Sequence, residues 1–402
     1  MPGPAYIRTH HAMSRTTSAC IAGAFEHPRR YAPDKSVAQL HAECARGALA
    51  DAGLSLDDVD GYFCSGDAPG GIPALMVDYL NLKVRHVEGT ESGGCSYIAH
   101  VGHAAAAIAA GRCSVALITL AGKPRSSGQA TGTEIRKLAP DRPASAWEGP
   151  YGWTVGGVYG NLAMRHMHEH GTTSEQMAWV KVAASHHAQH NPHALLRKVY
   201  TVGDVVNSPM VADPLHRLDC CVITDGGGAL VVVKPEIART LKRPLVRVAG
   251  FGETMRTNQA GMFDLLDSGA AVSGPRAFDE AGLTVADVKY ASVYDNFTIA
   301  VIMQLEGLGF CAPGQGGRFV ADGNLISGVG RLPWNTDGGG LCNNHPMNRG
   351  GITKVIEAVR QLRGEAHPAV QVKNCDIALA CGPGLVFSVG HAHATVLLER
   401  MQ

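Results

Sequence analysis

Short runs of branched and small apolar residues alternate along this chain with segments whose apolar positions recur at helical spacing. The runs, such as Ala229-Leu230-Val231-Val232-Val233, read as buried strands, and the periodic segments read as helices laid over them. The pattern then repeats. Ile21–Phe25 and Val248–Gly252, offset by 227 positions, each read as a strand entering a glycine turn. Ala50–Asp60 and Asp279–Lys289, offset by 229, each read as a helix closed by glycine (Gly53, Gly282) and a short connection into a strand. Cys113–Ile118 and Cys375–Ala380 each read as a buried strand after a helix, at 96–110 and 347–363. An internal repeat decides architecture before any motif does.

The expected fold is therefore α/β: two similar halves with mixed, mostly parallel central sheets packed in layers between helices. From Cys113 to Ala229 is 116 residues, whereas from Cys375 to Ala394 is 19, so the first half carries about 97 extra residues. This insertion, at about 124–215, contains helices expected at Tyr159–His170 and Ser174–His190, with a Gly/Ser/Pro-rich remainder suited to a loop subdomain covering a substrate. The expected division is a leader or alternative start at 1–12, a first half at 13–240 and a second half at 241–402.

Composition narrows the function classes. The 402 residues carry 35 basic and 35 acidic side chains, which gives no basis for a nucleic-acid or anionic-membrane partner. With 45% hydrophobic and 17% charged residues the chain should bury a large core, and no apolar run approaches the roughly 20 residues of a membrane span. Eleven cysteines without pairing rhythm fit reduced thiols and a cytoplasmic setting.

In a doubled α/β fold, reactive groups belong on loops at strand carboxyl ends. Four loops qualify. Glu91–Ser96 puts Gly94 and Cys95 at the start of a helix, where unpaired N–H groups favour a thiolate; packing is the equal alternative. Gly338–Pro346 combines three glycines with Cys342, Asn344 and His345, and its Gly340 would let backbone approach a ligand. Cys381-Gly382-Pro383-Gly384 reads as a turn that leaves the thiol open and offers N–H donors to an oxyanion. Tyr294–Phe297 follows a strand end, with Tyr294 and Asn296 able to hold a water or a carbonyl. His166, His168, His170, His186, His187, His190 and His193 form a rival cluster, with His186 and His190 on one helical face, but no His-Glu-x-x-His string accompanies them. Structural or surface roles are the preferred reading, and no metal is expected.

The doubled unit, the His345-Pro346 loop, the Cys381-Gly-Pro-Gly segment and Asp219–Gly228 together resemble the thiolase superfamily, in its branch of sterol carrier protein type thiolases and lipid-transfer-like aldolases. Arg165–Thr173 and Asn191–Ala194 resemble that branch's loop region. The resemblance runs from residue 15 to the end. It implies chemistry on acyl-coenzyme A, with coenzyme A as substrate and no permanently bound cofactor. His345 takes the family's histidine role and Cys381 that of the second cysteine, while Gly94, Gly340, Cys342, Asn344, Gly382 and Gly384 become candidates for substrate or oxyanion contacts. The nucleophile's seat departs: the family spacing counted back 17 residues from Gly111 reaches Gly94, with Cys95 one step late. Tyr294 stands where ordinary thiolases carry asparagine.

Three readings follow from that resemblance. One is a thiolase-type acyltransferase that cleaves or forms a carbon–carbon bond in a β-ketoacyl-CoA through Cys95, in a degradative setting. The second is a retro-aldolase acting on a β-hydroxyacyl-CoA, with Tyr294 or histidine moving the proton. The third is a non-catalytic acyl-CoA or lipid binder. The family also implies a homodimer core and a hetero-oligomer with a separate OB-fold and zinc-finger protein. Trp147, Tyr151, Trp153 and Tyr159 would line a pocket for a bulky or aromatic acyl group, with core packing as the alternative.

Overall fold

A computed structural model describes residues 19–131, 149–151, 154–256, 264–346, 350–384 and 392–401; the leader expected at 1–12 lies outside them. The chain opens with β1 (Cys20–Glu26) and α1 (Val37–Ala52), whose Ser36 cap accepts from Gln39 N while the Gln39 side chain bonds back. Next come β2 (Gly61–Phe63), α2 (Pro73–Tyr79), β3 (His86–Glu88), α3 (Ser96–Ala109) and β4 (Val115–Gly122). The stretch between β4 and β7 holds α4 (Val155–His170), α5 (Ser174–Ala188), α6 (Val202–Val206), β5 (Met210–Ala212) and β6 (Leu215–His216). β7 (Gly226–Val233) and α7 (Pro235–Ala238) lead to the second half. That half comprises β8 (Val246–Met255), α8 (Ala270–Ala281), β9 (Tyr290–Val293), α9 (Thr298–Gly307), α10 (Gly316–Val320), α11 (Gly351–Arg363), β10 (Ile377–Gly384) and β11 (Ala392–Arg400).

Local devices repeat with the sequence. α1 and α8 both end at a glycine with left-handed backbone, Gly53 and Gly282. Each is followed by a single 3-10 turn capped in the same way, by Ser55 with Asp58 and by Thr284 with Asp287.

The nine-stranded sheet runs β3-β2-β4-β7-β1-β8-β11-β10-β9. Read outward from the β1/β8 junction, β1-β7-β4-β2 and β8-β11-β10-β9 are the same order with the same strand directions, antiparallel, antiparallel, parallel. The expectation of mostly parallel sheets is corrected here. Among the described residues only β2–β3, β2–β4 and β9–β10 pair in parallel. The last strand of each half returns antiparallel, β7 beside β4 and β11 beside β10, rather than by a crossover.

Within the sheet the two halves pair at Cys20↔Arg247 and Ile21↔Val246, and further main-chain bonds cross between them from Val222 N to the Gly340 carbonyl at 2.9 Å and from Cys221 N to the Asn296 carbonyl at 2.8 Å. Side chains widen that junction. Glu26 of β1 bonds Arg360 Nη1 at 3.0 Å and Arg30 Nη2 at 2.7 Å, and Arg363 on α11 reaches Asp51 at 2.7 Å and the Ala22 carbonyl at 2.7 Å. Three large cores follow from the alternation of side chains. α3 and α11 share a central core with one face of β4, β7, β8, β10 and β11, while outer cores lie against α1 and against α4, α5 and α9. On β10, Ala378 and Ala380 face the central core, whereas Ile377, Leu379 and Cys381 face the outer one.

Candidate active site

Tyr294 follows the end of β9, and its backbone is fixed on two sides: its N–H donates to the Cys381 carbonyl at 2.8 Å, and its carbonyl accepts from Gln304 Nε2 at 2.8 Å. The neighbouring Asp295 is almost wholly buried and organises the glycine loop. Its carboxylate accepts from Gly340 N at 2.8 Å, Leu341 N at 3.0 Å and the buried Lys354 ammonium on α11 at 2.8 Å. That tight wrap requires Gly339, whose φ is +60° and where a Cβ would stand 2.1 Å from Asp295 Oδ2. The turn Gly339–Asn343 is a single wide π turn, a form that concentrates at functional sites.

This turn delivers His345 to Tyr294. The histidine's N–H donates to Thr224 Oγ1 at 2.9 Å, and Thr224 in turn donates to Asn344 Oδ1 at 2.7 Å. Tyr294 Oη and His345 Nε2 then lie 2.9 Å apart, rings edge-on at 74°. Burial, then the neighbouring Cys221 and Tyr159, hold the phenol well above its usual pKa, so Tyr294 keeps its proton and presents it to the imidazole nitrogen. Gly350, at the foot of α11, lies against both side chains. The Gly94 carbonyl approaches Gly351 so closely that a Cβ there would sit 2.6 Å away, so the tips of α3 and α11 converge beside this pair.

The two other expected residues, Cys95 and Cys381, are buried thiols engaged by neighbours of their own. Cys95 ends a 3-10 turn (Gly93–Cys95) that runs into α3, so it does stand at a helix tip. It is buried, however, with Sγ 3.4 Å from Ser92 Oγ, and burial outweighs that hydrogen bond to push the thiol up to about 12. Cys381-Gly382-Pro383-Gly384 is not a turn but the end of β10, paired residue for residue with Thr395, Ala394, His393 and Ala392 of β11. The register explains the glycines: a Cβ on Gly384 would meet the Ser92 carbonyl at 1.7 Å and Cys95 Sγ at 2.6 Å. Gly384 therefore faces Cys95 on the central side, while Cys381, three residues earlier, faces the outer core. The Cys381 thiol is fully buried, 3.2 Å from Thr395 Oγ1 and 3.6 Å from His393 Nδ1, and is also pushed up to about 12 by burial.

Several proposed oxyanion contacts are already engaged. Gly340 N–H is spent on Asp295, and Asn344 holds Thr224 and donates to Glu26 Oε1 at 2.9 Å. Cys342 is buried beside Lys181, away from the phenol, and Asn296 bonds the Phe297 N–H at 3.1 Å and the Tyr159 hydroxyl. Gly382 lies against Tyr294, a Cβ there standing 3.0 Å from the tyrosine's own.

The histidines of the insertion serve packing. His166 bonds Thr172 at 2.8 Å and Glu306 at 3.2 Å, His187 accepts from Ser327 N at 2.9 Å, and His190 stacks on His367. Among the described residues, the one grouping of three possible metal donors is His41, Cys64 and Asp67, in the first half. Tyr159 is buried against Phe297, Tyr151 is 89% exposed and lines nothing, and Trp147 and Trp153 lie outside the described residues.

Sequence reasoning missed Lys354, Thr224, Gln304 and His393. Lys354 could have been suspected as a cation on the apolar face of an amphipathic helix, and His393 as a polar break in the alternation His-Ala-His-Ala-Thr-Val. Thr224 lies within the Asp219–Gly228 segment that carried the resemblance without being singled out there, and nothing in the chain marks Gln304.

A family model described as "Thiolase C-terminal domain-like" matches residues 252–400. The "Steroid side-chain-cleaving aldolase" of Thermomonospora curvata is 36% identical over 346 residues, covering 82% of this chain and 86% of that protein. The "Acetyl-CoA acetyltransferase" of Methanothermobacter thermautotrophicus is 33% identical over 358 residues, covering 86% and 91%. Among solved structures, the "Ltp2-ChsH2(DUF35) aldolase" superposes with a TM-score of 0.82 at 32% identity, covering 96% of this chain and 99% of that one.

Proposed function

This chain belongs to the thiolase family, and from that premise we propose that it is a carbon–carbon lyase of the retro-aldol type acting on a β-hydroxyacyl-CoA. The observation that carries this reading is the 2.9 Å contact of Tyr294 Oη with His345 Nε2. The substrate's β-hydroxyl gives its proton to Tyr294 Oη as the phenol passes its own to His345. The Cα–Cβ bond breaks, the oxygen-bearing carbon leaves as an aldehyde or ketone, and the electron pair remains on Cα as the thioester enolate. The same proton returns through Tyr294 to Cα, giving the shortened acyl-CoA, so no oxidant, reductant or free coenzyme A is consumed.

Two further observations support this direction over thiolysis. The family spacing counts Gly94, not Cys95, into the nucleophile's seat, and the Cys95 thiol, beside Gly384, is buried and held protonated. The thiolase reading keeps one specific support, namely that Cys95 still stands at the start of α3, one step past that seat. We propose further that the enzyme is built on a homodimer and works with a separate OB-fold and zinc-finger protein, the latter supported by the two-protein pairing in the Ltp2-ChsH2(DUF35) aldolase. No helix among the described residues is long and apolar enough to cross a membrane.

The purified protein should release a carbonyl product and a shortened acyl-CoA from β-hydroxyacyl-CoA without added coenzyme A, and Cys95→Ala should leave that rate within a few-fold. An acyl adduct on Cys95 in mass spectra, with turnover that demands free coenzyme A, would transfer the function to the thiolase class.

A further inference from the structure

A cleft lies between α4, α9 and the β10–β11 pair, walled by Tyr159, Leu162, Ala300 and Met303, with Asp267 and Ser268 at one side and Gln304 and His393 at the other; Asp267 is paired with Arg256, and Ser268 Oγ accepts from Ala270 N at 3.3 Å. Gln304 and His393 are nearly fully buried, at 2% exposure each. Each carries one atom with no hydrogen-bond partner, Gln304 Oε1 and His393 Nε2. Buried polar atoms are seldom left so, because each forgoes the hydrogen bond it had with water. The remaining atoms of both side chains are engaged, which fixes their orientation. Gln304 Nε2 donates to the Tyr294 and Ala300 carbonyls, both at 2.8 Å, so Oε1 is the end turned away from them. His393 Nδ1 faces Ser273 Oγ at 3.1 Å, and Ser273 Oγ lies 2.8 Å from Thr395 Oγ1, which lies 3.2 Å from the Cys381 thiol.

Of the two proton orders that chain allows, one also gives the hydrogen of the protonated thiol an acceptor. The thiol donates to Thr395, Thr395 to Ser273, and Ser273 to His393 Nδ1, which leaves the hydrogen of the neutral imidazole on Nε2. Burial and the nearby Arg256 keep His393 neutral, its pKa pushed down to about 3. Between its apolar walls the cleft thus offers one unmet acceptor and one unmet donor, the polar side chains of Asp267 and Ser268 being engaged by Arg256 and Ala270 N. A hydroxyl is the small group that answers both, accepting from Nε2–H and donating to Oε1. A carbonyl or an ether would leave the glutamine oxygen unmet, and a carboxylate would face it with like charge.

The cleft also borders the reacting residues. Gln304 is bonded to the Tyr294 carbonyl, and His393 stands beside Cys381, whose own carbonyl holds the Tyr294 N–H. We propose that this cleft is a hydroxyl-reading subsite, in which Gln304 and His393 bind a second hydroxyl carried on the acyl group beyond the bond that is cut. The substrate class is accordingly a dihydroxylated acyl-CoA. The inference rests on the acyl-CoA reading above but not on the direction of the reaction.

The test measures binding rather than turnover. 3-Hydroxyoctanoyl-CoA and its analogues with a second hydroxyl at C5, C6, C7 or C8 are titrated calorimetrically against the full-length Tyr294→Phe protein, which holds substrate without cutting it. At least one analogue should bind about tenfold or more tighter than the parent thioester. His393→Leu and Gln304→Leu should each abolish that preference, and His393→Gln, whose amide can still donate, should retain part of it. Two leucine variants are read so that one failing to fold leaves the other decisive. Equal binding of all five thioesters, or a preference that survives in a folded leucine variant, overturns the subsite. If the wild-type enzyme cuts none of these thioesters while the preference stands, the reading of the reaction fails and the subsite remains.

Discussion

Thr119 and Cys381 stand at one point of the repeated unit, since Gly61 pairs with Ala116 as Tyr290 pairs with Ala378, three residues before each. What surrounds them differs. Thr119 Oγ1 is gripped by His41 Nδ1 at 2.9 Å and Tyr62 Oη at 2.7 Å, with Tyr97 donating to Asp67 and accepting from Ser65 N behind them. Those polar groups face one another inside the first half. Around Cys381 the polar series runs outward through Thr395, Ser273 and His393 and ends on a cleft, while Tyr294 and His345 meet beside it. On the reading proposed above, the same backbone stage serves as framework in one copy and as chemistry in the other, where the polar series opens on a cleft.

The contrast also shows in charge. Counted from the closing glycines Gly111 and Gly364, Lys354 occupies the place of Val101, and by the 229 offset Asp295 occupies that of Gly66. The buried ion pair that positions the His345 turn is therefore an addition peculiar to the second copy.

The largest test of this division is Tyr294→Phe, which should lower kcat by roughly 10²–10⁴ with the melting curve unchanged. Tyr62→Phe, the phenol of the framework copy, should instead leave kcat intact and cost about 1 kcal/mol of stability. Equal losses of kcat in both would erase the distinction. Next, Lys354→Met strands Asp295 as a buried carboxylate and should cost about 3–5 kcal/mol in denaturant titration, far beyond what a conservative change at Val101 would cost.

The smallest effect is a pH dependence at the contact between copies, where His103 of α3 bonds Glu88 at 2.5 Å and Glu253 of β8 at 3.0 Å. Burial opposes the charge, but the two carboxylates win and raise His103 to about 9. Likewise, Glu88 is lowered to about 2 against its own burial, by His103. The histidine's share is full below its unfolded value near 6.5 and is lost as pH rises through about 9. The glutamate's share is full above about 4.5 and is lost as pH falls toward 2. Stability should therefore plateau between about 4.5 and 6.5, and His103→Gln should flatten the alkaline decline by on the order of 1–2 kcal/mol, read by chemical denaturation across pH. An unchanged alkaline limb in the variant would remove this link.

Much of this was legible in the chain. The repeat announced paired elements down to the capping residues Ser55/Asp58 and Thr284/Asp287, because caps and glycine stops are local chemistry. Tyr294 and His345 could be named as candidates from their loops. What could not be read was engagement: Gly340, Asn344 and Cys342 look available in sequence, and each is claimed by a partner from a distant segment. Cys381–Gly384 looks like a turn because Gly-Pro-Gly usually is one, yet Gly384 answers the Ser92 carbonyl pressed against it and Gly382 the side chains of Tyr294 and Ile98. The sheet directions were misjudged for a related reason, since two buried runs read alike whether the chain between them crosses over or doubles back.

In the sheet the seam between the copies is two residue pairs wide, and side chains widen it: Glu26 takes Arg360 beside its own Arg30, and Asp51 takes Arg363. A gene reduced to one copy would expose that interface and strip part of the charge balance from both sides, so the doubling has become hard to undo: divergence that let one copy specialise has also made each a counterion of the other.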